Sequence, residues 1–509
     1  MKITSSNSYF ENLMSWAQKK THQFVMTGLN GPVNKGDDNK WYGPAERFSD
    51  KSRKRQSPDK PWAQPKPYIP SYWAGYYDRT AFYIRDFVHQ APGAEFLGYH
   101  EENYQMLKSF VSLADKKYGW YAPWSLNFDG SIYYMDTPNN RRFVRELISQ
   151  YELAETICVL YFMTGDERYL ASDFQNYIEH ILNDFTKSRD GVVFTEKNGI
   201  PEGVGNIWKG SASYNESGLF FAETGDCIAA MYRALDVYAN LLKETGKYDE
   251  ANGYFNRAAS LKNYFNNEWS IVPESQDFAF AIDKNGKKYH KWLKTVKGIV
   301  GAETCFIMPI KLLTEPGERN ELLLEEIDRR AKDKNTCMKN IESYAYLPQV
   351  FFPYNQPERA WYWMKYIGDR LDSTHVHASQ GTNGDYPEIS FTLISSALQG
   401  LLGLSANSVS GIVYTCPCLP REIPDITAEN IKIGGFLLNI TVVNKNTVCL
   451  TNCSEKALIW NCAFYENASK LYINGLEIKC NQKITNGVLR SFTEIRINQN
   501  MTVTVVCKQ

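Results

Sequence analysis

Apolar residues recur every three to four positions from about residue 76 to 405, then switch to every second position toward the end of the chain. Phe143, Val144, Leu147, Ile148, Tyr151, Ala154, Cys158 and Tyr161 keep helical spacing, as do Ile228, Met231, Leu235, Tyr238 and Leu242, and Leu393, Ala397, Leu401 and Leu402. The pattern predicts helices near 8–27, 78–91, 99–117, 141–164, 167–187, 224–245, 247–268, 302–314, 318–332, 339–350, 357–370 and 388–404. Many are apolar on two faces and must therefore pack on both sides. Paired helices joined by elaborated loops, such as Phe278-Ala-Phe-Ala-Ile-Asp283 before Lys284-Asn-Gly-Lys287, fit an (α/α) toroid better than a four-helix bundle.

Residues 28–72 interrupt the period, where Pro58, Pro61, Pro65, Pro67 and Pro70 predict an extended arm. Beyond 408, Ile431-Lys-Ile433, Phe436–Val443, Thr447–Leu450, Leu471-Tyr-Ile473 and Thr502–Val506 alternate, with turns at Asn444-Lys-Asn446 and Asn474-Gly475. That predicts a β-sandwich of roughly 90–100 residues. The chain divides into an N-terminal helix and arm (1–72), a helical toroid (73–407) and a C-terminal β-sandwich (408–509), a mainly α fold class.

Charge removes several partners. Lys and Arg number 56 against 57 Asp and Glu, and Lys51-Ser-Arg-Lys-Arg55 is a short, isolated basic tract, so neither nucleic acid nor an anionic membrane surface is expected. No apolar run reaches a bilayer's width, and no apolar leader follows Met1. Eleven irregularly spaced cysteines predict free thiols in a reducing cytoplasm. Cys416-Pro-Cys418 lacks a second ligand pair, so no metal or cofactor is expected. Aromatic residues make up 14% of the chain, a level that serves either a sugar-stacking surface or a large core.

Gln399-Gly-Leu-Leu-Gly-Leu-Ser-Ala-Asn407 with Val413-Tyr-Thr-Cys-Pro-Cys-Leu-Pro420 resembles the last barrel helix and exit segment of rhamnosidase-like six-hairpin glycosidases. Ile341-Glu-Ser-Tyr-Ala-Tyr-Leu-Pro348, followed by Gln356-Pro-Glu-Arg-Ala-Trp361, is similar to a late hairpin of such barrels. The resemblance covers about 70–509 and implies an (α/α)6 barrel, a C-terminal β domain and glycoside hydrolysis.

Such hydrolysis needs a protonated carboxyl beside the leaving oxygen, and a carboxylate that activates water or attacks directly. Three clusters offer candidates. The stretch Tyr72–Gln90 holds Trp73, Asp78, Arg85, Asp86 and His89; its Arg-Asp step resembles the sugar-gripping segment of related barrels, with Asp86 as general acid or hydroxyl ligand. The stretch Tyr214–Asp226 holds Glu216, Glu223 and Asp226, with Glu223 beside Phe220 and Phe221 the leading general acid. The stretch His375–Glu388 holds His377 and Asp385; the resemblance makes Glu388 the general base, with Asp385 in reserve. These acids equally suit helix starts as capping groups. Glu342, and the rings of Trp361, Trp41, Tyr42, Trp124 and Trp208, are weaker candidates for substrate contact.

The leading function is an inverting hydrolase of an oligosaccharide or glycoside, with association of identical chains left open. A phosphorylase using the His375–Ser379 loop for phosphate is the first alternative. A lyase or epimerase on a similar toroid, using Tyr76 or Tyr77 with His89, is the next, and a sugar-binding protein without catalysis the last.

Overall fold

The computed structural model describes residues 1–31, 33, 66–76, 81–133, 145–205, 210–214, 219–296 and 298–508. Six helical segments pack in a circuit. Helix Ile84–Phe96 contacts Ile148–Thr164, which contacts Gly225–Glu244, which contacts Ala302–Ile310. The broken pair Ile341–Ala345 and Leu347–Phe351 comes next, and Pro387–Ser395 returns to Ile84–Phe96. A second layer lies outside: Ser8–Gln23 on Pro387–Ser395, His100–Ser112 on Ile84–Phe96, and Ser172–His180 on Ile148–Thr164. Tyr248–Tyr264 covers Gly225–Glu244, Glu318–Lys332 covers Ala302–Ile310, and Pro357–Gly368 covers Leu347–Phe351.

Side-chain pattern decides which helix lies in which layer. Ile148–Thr164 buries residues around its whole circumference, from Ile148, Tyr151 and Leu153 to Cys158 and Met163. Glu318–Lys332 buries only Asn320, Leu324, Ile327 and Ala331, one stripe at spacings of four and three. The helix expected over 339–350 is broken at Tyr346. Pro348 has no N–H to give to the carbonyl of Tyr344, so the helical ladder cannot run through.

Short strands lead into three of the inner helices. Ala81–Tyr83 pairs with Ser125–Asn127 and runs straight into Ile84. Phe221–Thr224 pairs with Ala281–Asp283 before Gly225, and Leu293–Thr295 with Gly298–Val300 before Ala302. Of the alternation read at 278–283 only Ala281–Asp283 is strand, and the strand at 81–83 falls where a helix was expected.

The C-terminal portion is sheet-rich. One sheet runs in the order Lys2–Thr4, Asp425–Ile433, Phe436–Val443, Thr447–Asn452, Thr502–Val506, Lys470–Ile473, Leu476–Lys479. A second has the order Ser405–Asn407, Ile412–Thr415, Leu458–Phe464, Val488–Ile497, Asn481–Thr485. Asn474-Gly475 and Asn486-Gly487 both hold positive φ and close two-residue hairpins. The outer strand Lys2–Thr4 comes from the chain's start, which the sequence pattern did not foresee, and Ser5 Oγ donates to the Asp425 carbonyl at 2.6 Å. Among the described residues no helix is long and apolar enough to cross a membrane.

The circuit's tightest joint is at Gly93, where a Cβ would lie 2.2 Å from the backbone oxygen of Phe391. Alanine there improves helix propensity by about 1 kcal/mol but forces two inner helices apart, so we expect Gly93→Ala to lower stability by about 1–3 kcal/mol overall. Urea unfolding of the variant checks this, and an unchanged or raised midpoint contradicts it.

Candidate active site

Five inner helices carry an acid at their second or third residue: Asp86, Asp226, Glu303, Glu342 and Glu388. An acid in a first helical turn gains from the N–H groups there. In a solvated helix it would point outward; here Asp86 is 7% exposed, Glu342 7%, Glu388 2% and Asp226 1%. Their contacts show that the helix starts meet. Arg85 Nη2 donates to Glu303 Oε2 at 2.9 Å, and Ser343 Oγ donates to Glu303 Oε1 at 2.6 Å. Tyr386, the residue before the Pro387 helix, donates its hydroxyl to Asp86. One turn beyond Asp86, His89 shares a hydrogen between Nδ1 and the carboxyl of Glu388.

Glu342 is held differently. Its Oε2 lies 3.1 Å from His375 Nε2 and its Oε1 accepts from the Tyr76 hydroxyl at 3.4 Å. The Tyr76 ring meets His377, Tyr386 and His375 edge-on, at 5.1, 5.7 and 6.2 Å. Tyr346, set free from regular helix by Pro348, stacks on His89 with ring centres 3.9 Å apart. Below them the Arg85 guanidinium lies 4.6 Å from the Tyr214 ring centre. The Tyr214 hydroxyl donates to Glu152, which with Glu155 binds Lys311 at 3.1 and 2.6 Å.

Burial sets the protonation states. The Asp86 carboxyl is pushed up to about 7 by desolvation and then by neighbouring Glu388, against the Tyr386 hydroxyl and Arg85. Glu388 is raised well above the carboxylate range, first by desolvation, with Arg85 opposing and Glu342 and Glu303 adding to it. Desolvation drives His89 down to about 3, so burial disfavours the charged form of both members of the Glu388–His89 pair. Asp226, bonded to Ser213 Oγ at 2.7 Å, is lifted by burial to about 6.

Of the residues singled out in the sequence, Arg85, Asp86, His89, Glu342, His377 and Glu388 thus gather in one place, and Asp226 borders it through Ser213 and Thr304, whose hydroxyls lie 3.3 Å apart. Others sit elsewhere. Glu223, expected as general acid, is bound by Trp269 Nε1 at 2.5 Å and Asn198 Nδ2 at 2.8 Å; burial does raise its carboxyl, against these two donors. Asp385 caps its own turn at Thr382 and binds Lys20 at 2.7 Å. Trp73 is fully buried against Phe128, and Trp361 likewise lies in the core. Asp78, Glu216, Trp41, Tyr42, Tyr77 and Trp208 lie outside the described residues. Glu303 and Tyr346 escaped the sequence reading. The available signal was the acid at the second position of a helix apolar on all sides, Ala302-Glu-Thr-Cys-Phe-Ile-Met308. Among the described residues no group of three His, Cys, Asp or Glu is arranged to hold a metal.

No family model matches the chain, and no curated protein matches it in sequence. Its fold does match solved structures. A GH78 family rhamnosidase of Bacillus sp. GL1 superposes with a TM-score of 0.55 at 10% identity, over 89% of this chain and 40% of that one. An α-L-rhamnosidase from Dictyoglumus thermophilum gives 0.51 at 10% identity, over 87% and 47%. A sialidase gives 0.56 at 12% identity, over 87% and 38%. The chain therefore has the six-hairpin glycosidase-like fold, and spans less than half the length of these similar chains.

Asp86 offers a direct check on the electrostatics. Its carboxyl ionises near 7 when folded against an ordinary 3.8, so the folded state retains a proton that the unfolded state releases between those values. Stability is therefore lost as pH rises through that window. Asp86→Asn still accepts from Tyr386 but removes the buried charge, so it should stabilise the chain more at pH 8 than at pH 5, by on the order of 2 kcal/mol. Urea unfolding of both proteins at the two pH values measures this; equal differences at both would refute it.

Proposed function

We propose that the chain is a glycoside hydrolase on an (α/α)6 toroid with a C-terminal β-sandwich, cleaving an oligosaccharide or glycoside with inversion. The circuit of inner helices, each backed by an outer one, supports the toroid. The observation that carries the activity is the convergence of Asp86, Glu342 and Glu388 from three helix starts around Arg85. It puts a carboxyl that holds its proton near neutrality beside one that accepts from the Tyr76 hydroxyl and lies against the His375 imidazole. Asp86 is the acid in this reading, giving its proton to the leaving glycosidic oxygen. Glu342 is the base, taking a proton from the water that attacks the anomeric carbon.

Glu388, expected as the base, is 2% exposed and its carboxyl is raised well above the usual range by burial, which disfavours the carboxylate that task needs; it is bonded to His89 instead. Arg85 and Glu303 offer a donor fork and an acceptor to sugar hydroxyls. Tyr76 and Tyr386 stand between Asp86 and Glu342. Inverting enzymes set their two carboxyl groups roughly 6.5–9.5 Å apart to leave room for the water, and this reading requires that gap between Asp86 and Glu342.

The test is turnover on a panel of unmodified oligosaccharides, with the first-formed anomer read by proton NMR. Asp86→Asn and Glu342→Gln should each lower kcat by roughly 10²–10⁴-fold. Full turnover in both variants, or a requirement for inorganic phosphate with release of a sugar 1-phosphate, would overturn the assignment.

A further inference from the structure

We propose that His375 is a positioning residue that holds the Glu342 carboxyl in one orientation, as the last link of a one-way hydrogen-bond chain starting at the backbone amide of His377. The inference rests on the reading of Glu342 as base.

The chain's direction follows from donor chemistry. The His377 N–H donates to His375 Nδ1 at 3.0 Å. A ring nitrogen that accepts carries no hydrogen, so the hydrogen of the neutral imidazole is on Nε2. That N–H is the one 3.1 Å from Glu342 Oε2 and must donate to it.

The ring has no freedom to turn. Its side chain is 0% exposed, lies parallel to Tyr386 with centres 6.0 Å apart, and is faced edge-on by Tyr76. The loop is pinned as well: His375 N–H donates to the Gly381 carbonyl at 2.9 Å, and Thr374 bridges to Thr382. Gln380 Nε2 donates to the Asp385 carbonyl at 3.1 Å.

Charged and titratable groups surround Glu342. Asp86 on one helix and Glu388 on another each feel its charge, as does Tyr386, while Tyr76 and His377 lie on its open side. Partners on both of its oxygens fix the rotation of the carboxyl and leave other lone pairs free for the attacking water.

Two substitutions separate positioning from mere packing. His375→Leu removes the donor, so the Glu342 carboxyl loses its orientation: kcat falls roughly 10–100-fold while KM changes less than about threefold. His375→Gln, whose amide nitrogen takes the place of Nε2, should restore most of kcat. Unchanged kcat in folded His375→Leu, or an equal loss in His375→Gln, overturns the positioning role while leaving the hydrolase assignment intact. If no glycoside is turned over by the unaltered chain, the hydrolase reading fails by itself. The hydrogen-bond chain is then judged by ¹⁵N NMR of histidine-labelled protein, which needs no activity and no variant. An Nε2–H tautomer of the neutral His375 ring supports it, and an Nδ1–H tautomer overturns it.

Discussion

Several carboxyl groups buried against one another are the constraint around which this molecule is organised. Each inner helix must be apolar on all sides to close the circuit, yet five begin with an acid that circuit closure draws inward. Removing a carboxylate from water is costly, so the group either gives up its charge or acquires donors. Both solutions occur within one cluster. Asp86 and Glu388 shift toward the neutral form, whereas Glu303 keeps Arg85 and Ser343 as donors. The helix N-termini contribute to all of them.

The interior below the cluster answers this excess of acid with a cation. Lys311, at the C-terminal end of helix Ala302–Ile310, is enclosed by Glu152 and Glu155, which raise its affinity for the proton despite desolvation. Glu152 passes the polarity upward through the Tyr214 hydroxyl to the face beneath Arg85. A buried ion pair of this kind adds little net stability, but breaking it by removing one member is severe. Its effect is to fix the rotation of two inner helices, and with it the direction in which the residues at their starts point. Tyr346 serves the same end from the other side: Pro348 breaks the helix there, and the released residue lays its ring on His89.

How much of this was legible follows from where the signals lie. Helical spacing at 148–161 and 228–242 is local and strong, and it yielded the inner helices; the alternation after 425 yielded the main strands. Asp86 and Glu388 stood out because aromatic residues and histidines crowd the same stretch of chain. Glu303 did not, since its partners Arg85 and Ser343 lie 218 and 40 residues away and no aromatic, histidine or second acid stands beside it in the chain. Glu223 drew attention through Phe220 and Phe221, but neighbours in sequence do not set the surroundings of a strand residue. The strand turns Glu223 to Trp269, and the acid three residues on, at the helix start, is the one that borders the cluster. The strand Lys2–Thr4 was invisible for the same reason, being three residues whose partners are Thr427–Glu429.

A division of labour between acids of the same chemical type therefore rests on partners that no local pattern reveals. Asp86 has one hydroxyl donor and a neighbouring acid; Glu342 has a hydroxyl and an imidazole N–H, the latter oriented by a backbone amide. The side chains that reach these two carboxyls are Tyr386, Tyr76 and His375. The loop at 374–386 supplies two of the three, so the same short segment that leads into the last inner helix orients both carboxyls.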